Sequence, residues 1–128
     1  MAETHLDISR TYAAIVAAAR QGRFVSYVDL ANASRVPWSK ARLPIGQHLD
    51  KLLAVAKANG WPLLTVNVVR KDDVESGRLT GGAFHGFLSG VKRLGMTVAD
   101  SEADAFIRAE QRRTFEWAAS APDAPDFS

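Results

Sequence analysis

The sequence predicts an α+β fold, with a three-helix core, a β-hairpin and an added C-terminal helix. Apolar positions recur at helical spacing through the first half of the chain, and a β-branched run with alternating faces follows. A polar, glycine-containing stretch then separates that run from a second short β-prone segment. At 128 residues and 47% hydrophobic content, the chain has the size and apolar material for one domain around a single core. Residues 1–118 are predicted to form that domain, and 119–128, with Pro122, Pro125 and little apolar content, a disordered tail.

The elements follow in order. Leu6, Ile8, Tyr12, Ile15, Val16 and Ala19 fall at three- and four-residue steps and Gly22 stands at a C-cap position, predicting a helix from about Asp7 to Gln21. Phe24 and Val25 make a β-prone link, and Ser26 with Asp29 reads as a capping box opening a short helix that ends by Ser34. Arg35 to Leu43 reads as a basic loop, and Pro44 suits the first position of a third helix whose apolar stripe is Ile45, Leu49, Leu52, Leu53 and Ala56. Leu63 to Val69 reads as a strand with Leu64, Val66 and Val68 on one face, and Thr65 and Asn67 on the other. Arg70 to Gly82 is expected as an exposed connection and Ala83 to Leu88 as the returning strand of the hairpin. Val91 to Leu94 reads as a helical turn ending at Gly95. Ser101 with Asp104 reads as a capping box for a helix through about Arg113, with Phe115 and Trp117 anchoring its end.

Composition removes several function classes. The chain has no cysteine, which excludes disulfides, thiolate nucleophiles and Cys-ligated zinc, and fits a reducing compartment, so a cytoplasmic protein is expected. Its longest apolar run, Tyr12 to Ala19, falls far short of the ~20 residues of a membrane span, and no membrane partner is expected. Net charge is only +2 but unevenly spread: residues 35–93 hold ten cations against four anions, whereas 100–128 hold three against seven. A basic middle is one footprint of a polyanion-binding face, and it is equally what a solvated surface shows.

Two segments carry a resemblance. Phe24-Val25-Ser26-Tyr27-Val28-Asp29-Leu30-Ala31 resembles the "VTYGDLA" segment of alkylguanine DNA alkyltransferases and the alkyltransferase-like proteins. Ala41-Arg42-Leu43-Pro44-Ile45-Gly46-Gln47-His48-Leu49 is similar to their "ARAVGQAL" segment with one residue inserted. The likeness spans roughly residues 20–70, and the predicted order of elements is that of a winged helix, whose third helix enters a major groove while the hairpin touches the backbone. It implies that Tyr27 sits against the phosphate of a target nucleotide and that Arg42 fills a gap in the base stack. The family's Pro-Cys-His-Arg motif has no counterpart: Pro62-Leu63-Leu64-Thr65 lies where it would fall, so alkyl transfer is excluded. Pro62 to Val69 with Gly86-Phe87 is also similar to small bacterial proteins that carry a "PLLTALVV" strand and a "GxGF" turn.

These observations predict a non-catalytic binding protein with duplex DNA as its ligand. The expected contacts are Tyr27, the loop residues Arg35, Trp38, Lys40 and Arg42, the helix face of Gln47, His48 and Lys51, and Arg70 and Lys71 beside the hairpin. Trp61 and Trp117 are expected inside and Trp38 partly exposed. Asp72, Asp73 and Glu75 have oxygen ligands for a hard cation but lack EF-hand spacing, and the three histidines have no metal-type spacing, so no metal or cofactor is predicted. The glycine-rich stretch Thr80 to Gly86 matches neither a Walker loop nor a dinucleotide fingerprint. Two alternatives stay open: a small inhibitor or adaptor that binds another protein, and a hydrolase using a pair such as His85 and Asp73.

Overall fold

A computed structural model describes residues 5–124. The first helix, α1 (Ile8–Arg20), is opened by the Asp7 carboxylate, which accepts the backbone N–H of Ser9 and Arg10 at 2.9 and 3.2 Å, and it buries Thr11, Tyr12, Ile15, Val16 and Ala19. The chain then forms strand β1 (Val25–Ser26) and helix α2 (Tyr27–Ala33), where the expected capping box is complete: Ser26 Oγ accepts the Asp29 N–H and the Asp29 carboxylate accepts that of Ser26. The basic stretch is not all loop. Arg35 takes a left-handed backbone (φ 60°), Pro37 follows, and Trp38–Ala41 winds into a short helix, α3, held through Val36 and Ala41 against Ala31. Pro44 then leads into α4 (Ile45–Ala58).

The predicted strand from Leu63 to Val69 is instead a 3-10 turn, Leu64–Asn67, followed by a two-residue strand, β2 (Val68–Val69). Alternation misled because both sets of side chains are buried; Thr65 and Asn67 are 7% and 1% exposed. The backbone groups of this segment find partners in helix α6 (Ala103–Ala118): the Leu63 N–H donates to the Glu110 carboxylate at 2.9 Å, and Gln111 Nε2 donates to the carbonyls of Val66 and Gly77. Strand β2 pairs in parallel with β1, Val25 opposite Val68 and Ser26 opposite Val69.

No hairpin forms among the described residues, so the wing of the expected winged helix is absent there. The segment read as its returning strand belongs to α5 (Gly82–Arg93). Its buried positions, Ala83, Phe87, Gly90 and Val91, have helical spacing, but Gly82, Gly86 and Gly90 lower its helix propensity and masked it. Gly90 is required by packing: a Cβ there would lie 2.8 Å from Asp50 Oδ1 and 2.9 Å from Leu53 Cδ2, so the α5 backbone packs directly on side chains of α4. Gly77 is required twice over, since its φ is 73° and a Cβ would sit 2.2 Å from the Phe24 ring.

The C-terminal helix also departs from expectation. Asp100–Glu102 forms a 3-10 turn, Ser101 makes no capping box, and α6 runs to Ala118. Phe115 and Trp117 therefore anchor from within the helix, Phe115 edge-on to Phe24 at 5.1 Å and Trp117 against Trp61 and Tyr12 at 5.5 and 6.1 Å. The expected disordered tail divides. Residues 119–124 fold back onto α1: Ala121 is buried, the Tyr12 hydroxyl donates to the Pro122 carbonyl at 2.7 Å, and Arg20 donates to the carbonyls of Ala118 and Ala121. Residues 125–128 of that tail lie outside the described residues. The core has two main halves, one around Tyr12, Ile15, Leu30, Leu52 and Leu64, the other around Leu53, Val66, Phe87, Val91 and Ile107. Among the described residues no helix is long and apolar enough to cross a membrane.

Candidate functional site

Helices α4 and α5 wall an open cleft of about 600 Å³ whose lining includes no residue of α6. Thr65 and Val68 reach it from the 3-10 turn and β2, Leu53 and Phe87 supply its apolar wall, and the α3–α4 segment closes one end with Trp38, Arg42 and Leu43. Tyr27, Arg70, His85 and Arg93 complete its rim.

Three guanidinium groups, Arg42, Arg70 and Arg93, thus share the cleft with one carboxylate, Asp50. Arg93 and Asp50 are paired, which fixes the C-terminal end of α5 to α4 and neutralises one of the three cations. Arg70 stands at the other end of α5, with Nη1 3.3 Å from where a Cβ on Gly81 would be. The Tyr27 phenol is half-buried, and burial raises its pKa above the ordinary tyrosine value, so it stays a neutral hydroxyl able to donate a hydrogen bond.

Five of the sequence-predicted contacts are therefore brought together: Tyr27, Trp38, Arg42, Gln47 and Arg70 all line this cleft. Trp38 is partly exposed as expected, at 38%. Arg35, Lys40, Lys51 and Lys71 are exposed but stand outside the lining, Arg35 and Lys40 around α3, Lys51 on the outer face of α4, and Lys71 in the 3-10 turn Lys71–Asp73.

His48 is a correction. Three residues after Ile45 and four before Leu52, it lies on the buried stripe of α4, is 8% exposed, and shares a 2.7 Å hydrogen bond with Thr11 Oγ1 of α1. Burial lowers its pKa, the Lys51 ammonium lowers it further, and Asp7 opposes both. A neutral imidazole locked between two helices is not available to a ligand on the surface.

Arg93 and Asp50 were not among the expected contacts. Arg93 ends a helix that the glycines concealed, and its only sequence signal was the Lys92-Arg93 pair ahead of Gly95, where a helix C-terminus favours cations. The groups behind the alternative readings are placed differently. Asp73 accepts a 2.6 Å hydrogen bond from the Thr80 hydroxyl, while His85 sits on the cleft rim with its ring edge-on to Phe84. Among the described residues no group of three or more His, Asp or Glu side chains is placed to hold a metal ion. Comparison of the chain with family models, curated proteins and solved structures finds no match.

Proposed function

We propose that this protein binds duplex nucleic acid, DNA being the expected form, without catalysing a reaction on it, through the face made by α3, the turn at 42–44 and the exposed edge of α4. The observation that carries the reading is the shared position of Tyr27 and Arg42. The resemblance to alkyltransferases singles these two out for contact with a nucleotide, and both line one cleft with Arg70 and Trp38. Guanidinium groups bind phosphate with two parallel donors, and a partly exposed tryptophan offers a stacking surface, so the set has the chemistry of a backbone clamp. Gln47 supplies the amide that base edges can pair with, and Lys51 extends the cationic edge along α4. Of the winged-helix comparison, only the helical part supports the proposal: α4, which follows α1, α2 and α3 in the chain, is the candidate recognition helix. A chain without cysteine has no alkyl acceptor, which keeps the proposed role to binding.

The test is retention of a short duplex across a salt series. Three or four phosphate contacts give a slope of log K against log salt of roughly −3 to −4. Arg42→Ala and Lys51→Ala are each expected to weaken binding by about 1 kcal/mol or less and to flatten the slope by about 1, with the fold retained because both side chains are exposed. A salt-insensitive affinity, or unchanged retention by both variants, refutes this face as a nucleic-acid interface.

A further inference from the structure

Leu53 of α4, Val68 of β2, and Ala83 and Phe87 of α5 give the cleft an apolar wall that the duplex contacts do not use. Thr65 lines the same cleft. It is only 7% exposed, yet its hydroxyl has no hydrogen-bond partner among the described residues and is not sealed from solvent as the Asn67 amide is. A buried threonine ordinarily satisfies its hydroxyl on a carbonyl of its own chain, as Thr114 does on Glu110. The Thr65 oxygen therefore keeps its hydrogen-bonding capacity for what enters the cleft.

A second feature stands where β2 ends. Ligands of α/β folds bind at the carboxyl ends of parallel strands, and β2, paired in parallel with β1, runs from Val69 straight into Arg70. Arg70 is exposed, has no ion-pair partner among the described residues, and brings Nη1 to 3.3 Å from where a Cβ on Gly81 would be, at the start of α5. That helix has no side-chain cap. The Ala83 N–H is taken by the Thr80 carbonyl, whereas those of Gly82 and Phe84 have no acceptor among the described residues. Asp73, which accepts the Thr80 hydroxyl, is outside the cleft lining, and Asp50 within it is paired to Arg93.

We infer that this cleft binds a small organic phosphate, with its apolar body against Leu53, Val68 and Phe87 and its phosphate held by Arg70, the first turn of α5 and the Thr65 hydroxyl. The inference does not rest on the duplex-binding reading, with which it shares Arg70. A phosphate monoester is favoured over a carboxylate because a guanidinium fork takes two oxygens and leaves a third for the helix start. The apolar wall and the volume of about 600 Å³ favour an organic ester over the inorganic ion. Such a monoester occurs both on free small molecules and at the end of a nucleic-acid strand.

The experiment titrates the full chain with phenyl phosphate, read by calorimetry and by backbone amide NMR shifts. The wild-type protein is expected to saturate with a single site, about tenfold tighter than for inorganic phosphate or benzoate, and to shift the Gly82 and Phe84 amides. Arg70→Gln is expected to weaken binding about tenfold and Thr65→Val about threefold. Both should fold, since Arg70 is exposed and the Thr65 hydroxyl has no partner to lose. Binding that does not saturate, unchanged affinity in both variants, or unmoved Gly82 and Phe84 amides overturns the site, and none of these results bears on the duplex salt series. Two short single strands, one ending in a phosphate and one in a hydroxyl, then compete with phenyl phosphate. Displacement by the phosphorylated strand alone assigns the site to strand ends, displacement by neither assigns it to a free phosphorylated molecule, and displacement by both overturns the monoester.

Discussion

The segment from Leu63 to Val69 has two neighbours, and they differ in kind. Toward α6 it is sealed: Glu110 accepts from its Leu63 N–H, Gln111 donates to its Val66 carbonyl, and Tyr12 of α1, Trp61 and Trp117 form an aromatic cluster in the same core as Leu64. Toward α4 and α5 it is open, with Thr65 and Val68 reaching a cleft rimmed by arginines. Where polar groups meet within hydrogen-bond distance and exclude water, they contribute to stability. Where they face solvent without an ion-pair partner among the described residues, as Arg42 and Arg70 do in the cleft, they contribute little to folding and are available to a ligand. One short stretch of chain thus separates the part of the molecule that maintains the fold from the part that has chemistry to offer.

The sharpest way to break this division is Tyr12→Ala. Tyr12 is 1% exposed, packs tilted against Trp61 and edge-on to Trp117, and donates to Pro122, so its removal is expected to cost about 3–5 kcal/mol of stability. Measured by denaturant titration, that loss should come with unchanged duplex affinity per folded molecule; a matching loss of affinity would show that the two sides are not separate. Gly90→Val comes next. Its side chain has no room between Asp50 and Leu53, and overpacking there is expected to cost about 1–3 kcal/mol. Because it forces α5 from α4, it should also weaken duplex binding, and a variant destabilised with full affinity would show that the cleft walls do not position the interface.

The mildest test lies at the junction. His48 joins α4 to Thr11 of α1, and its pKa in the folded protein is below the ordinary histidine value. Protons therefore bind the unfolded chain more readily than the folded one, so stability is full above the unfolded pKa of about 6.5 and falls as pH drops from there toward the folded value. His48→Gln should remove that component, leaving a flatter stability profile over the same range in denaturant titrations at successive pH values. Identical profiles for variant and wild type would mean that the Thr11 contact does not depend on imidazole charge.

The sequence made α1, α2 and α4 readable because each carries its own local signals, Asp7 and the Ser26–Asp29 box at the starts and apolar stripes along the first and last. The failures share a cause in contacts that lie far away in the chain. Thr65 and Asn67 read as a solvent face only while the α6 residues that bury the segment, such as Gln111 45 positions after Val66, are out of view. Gly82 reads as part of the exposed connection and Gly86 as part of the returning strand, and only the Asp50 and Leu53 side chains, far off in the chain, explain why Gly90 must lack a Cβ. For the site, Tyr27, Trp38, Arg42, Gln47 and Arg70 were legible as residue types with suitable chemistry. His48 was misplaced because its polarity outweighed its position on the helix stripe, and Arg93 was missed along with the helix that presents it.

The clasp between Tyr12 and Pro122 spans 110 residues. During synthesis, which proceeds from the amino end, the aromatic side of α1 emerges early and has nothing to cover it until Trp61, and then Trp117 and Pro122, leave the ribosome. Folding of the nascent chain is therefore completed from its later end, and a stalled or shortened product would carry α1 with an exposed greasy flank, a natural target for chaperones and proteases.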